Sequence, residues 1–167
     1  MSLIVSLIRF AAMHDLDQTR QRAHVDERAP DFSLPDHYDH LYSLALLLGH
    51  RGLLLGFLRD VWLPRSVHRV TWLQTHARQL TSWSIRLALV IANQPNTLHN
   101  FYTSSPVPPE FPLLADEALR VHGLYDMTQQ AGLVLVDRHR VVRARWLMGD
   151  APLWPPLDKL TSALKEL

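Results

Sequence analysis

The stretch DVWLPRS, residues 60–66, stands between the apolar run GLLLGFL and the helix-like SVHRVTWLQTHARQL. A loop that leaves a buried strand and opens a helix is a natural reactive site, because the helix N-terminus favours negative charge there. Yet no residue in it is a good nucleophile. Leu63 is inert, and Ser66 paired with His68 lacks both an orienting acid and a nucleophile-elbow motif. Arg59, Asp60, Trp62, Pro64, Arg65 and His68 remain as candidate ligand-binding residues. A Trp beside arginines at a helix start could hold an anionic or aromatic ligand. The plainer alternative is that Trp62 and Leu63 fill the space and Arg59–Asp60 make a weak surface pair.

Ten histidines are the other unusual supply. In DHYDH, His37 and His40 with Asp36 and Asp39 could offer two nitrogen and two oxygen ligands to a divalent metal. The stretch reads as a surface turn, where spacing alone does not fix coordination geometry, so no metal is expected. His68 and His76 lie two turns apart and are expected on a solvated helix face. Arg138, Arg140, Arg143 and Arg145 alternate as on the outer face of a hairpin strand. No cofactor is called for.

These residues need elements to position them. GLLLGFL (52–58) is an unbroken apolar run, as expected of a strand covered on both faces, and IRLALVIAN (85–93) reads as a second buried strand. Between them, Val67, Val70, Leu73, Ala77 and Leu80 recur at spacings of three and four, which predicts a helix over 66–80. Before them, APDFSLPD reads as a short strand and HYDHLYSLALLLGHRG as a short helix capped by Ser43 and stopped near Gly49. After them come a helix from Pro95 to Tyr102, the proline-rich loop SSPVPPEFP, a brief strand at Leu113–Leu114 and a short helix over 115–123. A hairpin over 132–148 turns at Arg138–His139, Trp154 sits in a strap expected to dock on the sheet, and a C-terminal helix closes the chain. Buried strands alternating with helices imply a parallel-rich sheet that the terminal hairpin makes mixed. The expected fold is α/β, a thioredoxin-like three-layer arrangement with a central mixed sheet flanked by helices.

The 167 residues suit one domain, read as 29–167 behind an N-terminal extension 1–28. Within that extension, residues 14–28 read as a polar tether or frayed helix. A net charge of +1 offers no footprint for nucleic acid or an anionic membrane. The absence of cysteine excludes disulfides, thiolate catalysis and Cys-ligated metals. No apolar run reaches the roughly 18 residues a spanning helix needs, and the cytoplasm is the expected location. The opening MSLIVSLIRFAAM lacks a basic n-region and is broken by Arg9, a poor secretion signal. Either translation starts at Met13, or the segment packs on the domain or on a partner. Its Leu3, Ile4, Val5, Leu7, Ile8 and Phe10 would form an exposed apolar patch, most simply covered by a dimer mate.

Four stretches in order then carry a resemblance: APDFSLPD, YSL before LLGHRGLLLGFLRDVWLP, PEFPLLADEALRVHGLYD, and GLVLVDRHRVVRARW. From about Ala29 to Trp146 they resemble peroxiredoxins, the alkyl hydroperoxide reductase and thiol-specific antioxidant family. The resemblance implies a thioredoxin-like fold, relatives that reduce peroxides, and a homodimer. In relatives with this loop, DVWLPRS would read Asp–x–Trp–Cys–Pro–x–Cys, so the two cysteine positions are here Leu63 and Ser66. Peroxide reduction by that route needs a thiolate that becomes a sulfenic acid, and neither residue can provide one. The activating Thr three residues before Ser66 is replaced by Leu63, the Arg before the Gly–Leu–Phe strand by Ala131, and the cis-proline by Gln129–Gln130–Ala131. The loop is that of an emptied thiol site. Two functions follow as expectations: a non-catalytic binding or assembly module, or an enzyme using non-thiol groups around Trp62, Ser66 and His68.

Overall fold

The structure is a computed structural model and describes residues 23–149 and 154–167. In chain order the elements are β1 (Ser33–Pro35), β2 (Leu41–Ser43), α1 (Leu44–Leu47), β3 (Gly52–Leu58), α2 (Pro64–Ser82), β4 (Ile85–Ile91) and α3 (Pro95–Ser104). Then follow β5 (Leu113–Ala115), α4 (Arg120–Leu124), β6 (Gly132–Asp137), β7 (Val142–Leu147) and α5 (Leu157–Lys165). The central sheet has the order β5-β4-β3-β6-β7. β3 pairs parallel with β4, and β4 with β5, while β6 and β7 are antiparallel neighbours. The sheet is mixed, with helices on both faces.

β3 shows why its run is apolar throughout. All seven residues are buried, since β4 and β6 flank the strand and both faces are covered. Leu54 and Leu58 join Val70, Leu73 and Leu80 of α2 and Leu160 and Leu164 of α5 in one core layer. Leu53, Leu55 and Phe57 point the other way, to Leu44 of α1 and Tyr125 after α4. Gly56 faces the first layer, where a Cβ would collide with the Leu89 side chain and sit 3.7 Å from the Trp154 ring. Trp154 is buried there and donates from Nε1 to the Arg69 carbonyl of α2 at 2.9 Å, so this one residue packs into the core layer between sheet and helix.

Several local readings need correction. LYS (41–43) is a second short strand, pairing with β1, which its polar surroundings hid. Ser43 does cap α1, its side chain accepting from the Leu46 N–H, but that helix is one turn long. α2 starts two residues earlier than periodicity suggested, with Pro64 in its first turn, and α4 starts only at Arg120 because Leu119 adopts a left-handed conformation (φ 57°). Residues 23–28 are no tether. Ala23 bonds to the Leu124 carbonyl, and Asp26 and Glu27 exchange backbone hydrogen bonds with Val142. The apolar residues between Leu3 and Phe10 lie outside the described residues.

DHYDH is the turn expected, with Tyr38, Asp39 and His40 exposed, but its first two residues are not on the surface. Asp36 and His37 are buried; Asp36 Oδ1 accepts from the Tyr38 and His40 N–H groups, and the His37 ring stacks on Tyr102 at 4.1 Å. No cluster of three or more metal-ligating side chains forms among the described residues. His76 is half-buried against Trp72, with Nδ1 2.7 Å from the Trp72 carbonyl oxygen, rather than solvated.

Candidate functional site

The loop 59–63 connects the carboxyl end of β3 to α2 and is built by a small set of polar contacts. Asp60 Oδ1 accepts from the Trp62 N–H at 3.1 Å and from Asn93 Nδ2 at 3.4 Å. Asn93 Oδ1 accepts in turn from the Val61 N–H at 2.9 Å, and the Asp60 carbonyl from the Leu63 N–H at 3.3 Å. Asp60 thus closes a tight turn onto the end of β4, and Arg59 points to solvent. The Arg59–Asp60 surface pair does not form. Asp60 is spent on backbone instead.

Beneath the loop lies a buried pair that the candidate residues did not include. His122 is fully buried; Nδ1 is 2.7 Å from Asp116 Oδ2 and Nε2 is 3.0 Å from the Leu58 carbonyl. The same Asp116 oxygen accepts the His122 backbone N–H at 2.7 Å. Burial alone would raise the Asp116 carboxyl. Hydrogen bonds from the His122 ring and from the His122 and Val121 backbone outweigh it and hold the group below the usual carboxylate range. Both His122 nitrogens face acceptors, Asp116 on one side and the Leu58 carbonyl on the other, so the ring lies pinned between the two. This fixes the last residue of β3 against α4. Asp116 lies inside FPLLAD, the stretch most typical of the resemblance, but nothing in one sequence ties it to Leu58.

At the opening of α2, Leu63 is the N-cap in extended conformation and makes no side-chain capping bond. Pro64 sits in the first turn, where a missing N–H costs nothing. Ser66, three residues on, is buried. The two vacated positions therefore bracket the first helical turn, as expected. The expectation that Leu63 and Trp62 fill the vacancy fails: each is 50% exposed. Trp62 leans edge-on against Phe101 of α3, ring centroids 5.3 Å apart, and leaves its other side to solvent. Arg65 and His68 are exposed on the outer side of the helix.

The geometry separates the groups that a non-thiol enzyme would need. Ser66 faces inward and His68 outward, because two residues subtend roughly 200° around a helix of 3.6 residues per turn. They share no hydrogen bond. A buried cation does lie further along: the Arg69 guanidinium sits 5.4 Å from the Trp154 ring centroid, its pKa lowered by burial and by the charge of Arg65. The site is a stiff loop on a buried polar support, with an apolar tip.

A model of the AhpC/TSA family matches residues 25–145. Comparison with curated proteins gives no match. Among solved structures, peroxidoxin BcpB from Mycobacterium tuberculosis aligns with a TM-score of 0.75 at 17% identity, over 87% of this chain and 99% of that one. Reduced 2-Cys peroxiredoxin of Plasmodium vivax gives 0.75 at 14% identity, over 86% and 81%. Thiol peroxidase from Chromobacterium violaceum gives 0.70 at 18% identity, over 87% and 88%. At these identities the structures speak for the thioredoxin-like fold, while the family match runs from before β1 into β7 and takes in the loop, its Asp116–His122 support and the terminal hairpin. The chain belongs to the AhpC/TSA family.

Proposed function

We propose that this protein is a non-catalytic member of its family, a homodimeric binding or assembly module of the cytoplasm. One observation carries the reading. At the head of α2, where the resemblance places a thiol, Leu63 and Trp62 present half-exposed apolar side chains on a rigidly hydrogen-bonded loop, in a chain without cysteine. A thiolate is the nucleophile of this chemistry, and a serine hydroxyl has no comparable redox ladder. An exposed Trp–Leu pair on a stiff support suits contact with an apolar surface, since aromatic anchors dominate such interfaces. No helix among the described residues is long and apolar enough to cross a membrane.

Two measurements test the two halves of the proposal. Purified protein is expected to give no thiol-dependent turnover of hydrogen peroxide or organic hydroperoxides. A rate above buffer that survives removal of metals and contaminating peroxidases overturns the loss of activity. Sedimentation is expected to show a homodimer that Leu63→Asp, which puts a charge on the apolar tip, shifts toward monomer. A monomer at every concentration overturns the assembly half.

A further inference from the structure

Away from the loop, the described residues form a cleft of about 460 Å³ between the C-terminal half of α2, the one-turn α1 and the segment 110–112 before β5. Its volume lies in the range typical of small-molecule sites. The floor is apolar and buried: Leu47, Leu87 and Phe111. The mouth is charged, with Arg78 of α2, Arg86 of β4 and Glu110 of the loop. None of these three makes an ion pair among the described residues. Arg86 is held in place by one bond, Nη1 to the Leu46 carbonyl at 3.0 Å, which leaves its other N–H groups available. Gln74 Nε2 donates to the Val107 carbonyl at 2.7 Å and fixes the loop wall against α2. There the lining continues into a second cleft of about 310 Å³, with Ala77, Arg78, Glu110 and Phe111 common to both.

We propose that this cleft binds an amphipathic monocarboxylate, an acyl or aryl body on the Leu47–Leu87–Phe111 floor with its carboxylate between Arg78 and Arg86. The charge at the mouth selects the class. Two guanidiniums against one carboxylate leave a single positive charge, which a monoanion balances. A cation would be repelled by the net positive charge, and a dianion would leave the mouth with an uncompensated negative charge beside Glu110. An inorganic anion would forgo the floor, whose burial supplies most of the affinity. Guanidinium suits the head group because its planar fork binds a carboxylate with two parallel hydrogen bonds. The inference is independent of whether the loop at Leu63 has activity, since the two places share no lining residue.

The test is calorimetric titration of the full chain with octanoate, and with 1-octanol and octylamine as neutral and cationic probes of like body. Octanoate is expected to bind saturably at one site per chain. Arg78→Gln with Arg86→Gln should weaken octanoate by about tenfold or more, the loss expected for charge-assisted hydrogen bonds, while 1-octanol is unchanged. Glu110→Gln should tighten octanoate. Ala77→Trp, which fills the cleft, should abolish octanoate binding in a chain with unchanged circular dichroism; if that variant misfolds, the arginine pair decides. Absence of saturable octanoate binding, octylamine binding as tightly as octanoate, or octanoate affinity unaltered by loss of both arginines overturns the proposal.

Discussion

A leucine at the N-cap leaves the first-turn N–H groups of α2 without the side-chain acceptor that Ser, Asp or Asn would supply, a deficit of about 0.5–2 kcal/mol. Local rules are broken in this way chiefly where function once set, or still sets, the residue. Since Leu63 is half exposed, replacing it loses little burial. Leu63→Asp is therefore expected to stabilise the monomeric protomer by about 1 kcal/mol in denaturant titration at concentrations too low for dimer, where loss of the subunit contact does not enter; a loss of similar size under those conditions would show that Leu63 packs on something essential within the protomer. His37 makes a second prediction. Burial pushes its ring below the ordinary histidine value, against the opposing pull of Asp36 and of the Leu113 backbone and with added repulsion from His99 and His40. The unfolded chain thus takes up this proton first as the pH falls. The stability linked to His37 is complete above about pH 6.5 and declines as the pH drops through that value toward the lower folded one. His37→Phe, which keeps the stack on Tyr102, should flatten the fall in melting temperature between about pH 7.5 and about pH 5.5. An unchanged slope would assign that fall to other groups.

Between elements, the Asp116–His122 pair joins α4 to the end of β3 and so supports the loop from below. Removing one member leaves the other buried and uncompensated. His122→Phe should cost about 3–5 kcal/mol in denaturant titration, and a loss below about 1 kcal/mol would mean that water reaches Asp116. Because hydrogen bonding holds the Asp116 carboxyl below its usual range, its contribution is full above that range and is lost as the pH falls below it through the lower value of the folded protein. This pair also marks what the sequence could reveal. β3 was legible because a strand covered on both faces must be apolar at every position, β4 because all but Arg86 near its start follow the same rule, and α2 because one buried face repeats every three to four residues. β2 was not, since LYS has no apolar run and is fixed by pairing with β1. His37 looked soluble because burial through stacking on α3 leaves no periodic trace. The bond from His122 to Leu58 spans 64 residues of chain, and Asn93 reaches Val61 from the end of another strand. Such contacts follow from topology, which alternation of strands and helices predicts only in outline.

At the scale of the molecule, a two-layered core around a mixed sheet keeps the family frame while the loop it carries has no thiol to present. The frame was read from four stretches in register, and the exposure of Trp62 and Leu63 was not, because their sequence is equally compatible with filling a pocket. That the loop preserves its ancestral backbone is the claim on which the rest depends. Leu63 as N-cap and Ser66 three residues on bracket one turn, where Cα atoms lie roughly 5–6 Å apart, within the range that a disulfide tolerates. The decisive measurement is thiol titration and mass analysis of the Leu63→Cys/Ser66→Cys variant under mild oxidant. The account predicts a folded protein that closes one intramolecular disulfide readily and, when reduced, has at least one thiol titrating below the free value of about 8.5, as the helix N-terminus favours the thiolate. A folded double variant that keeps both thiols free under the same oxidant would contradict it.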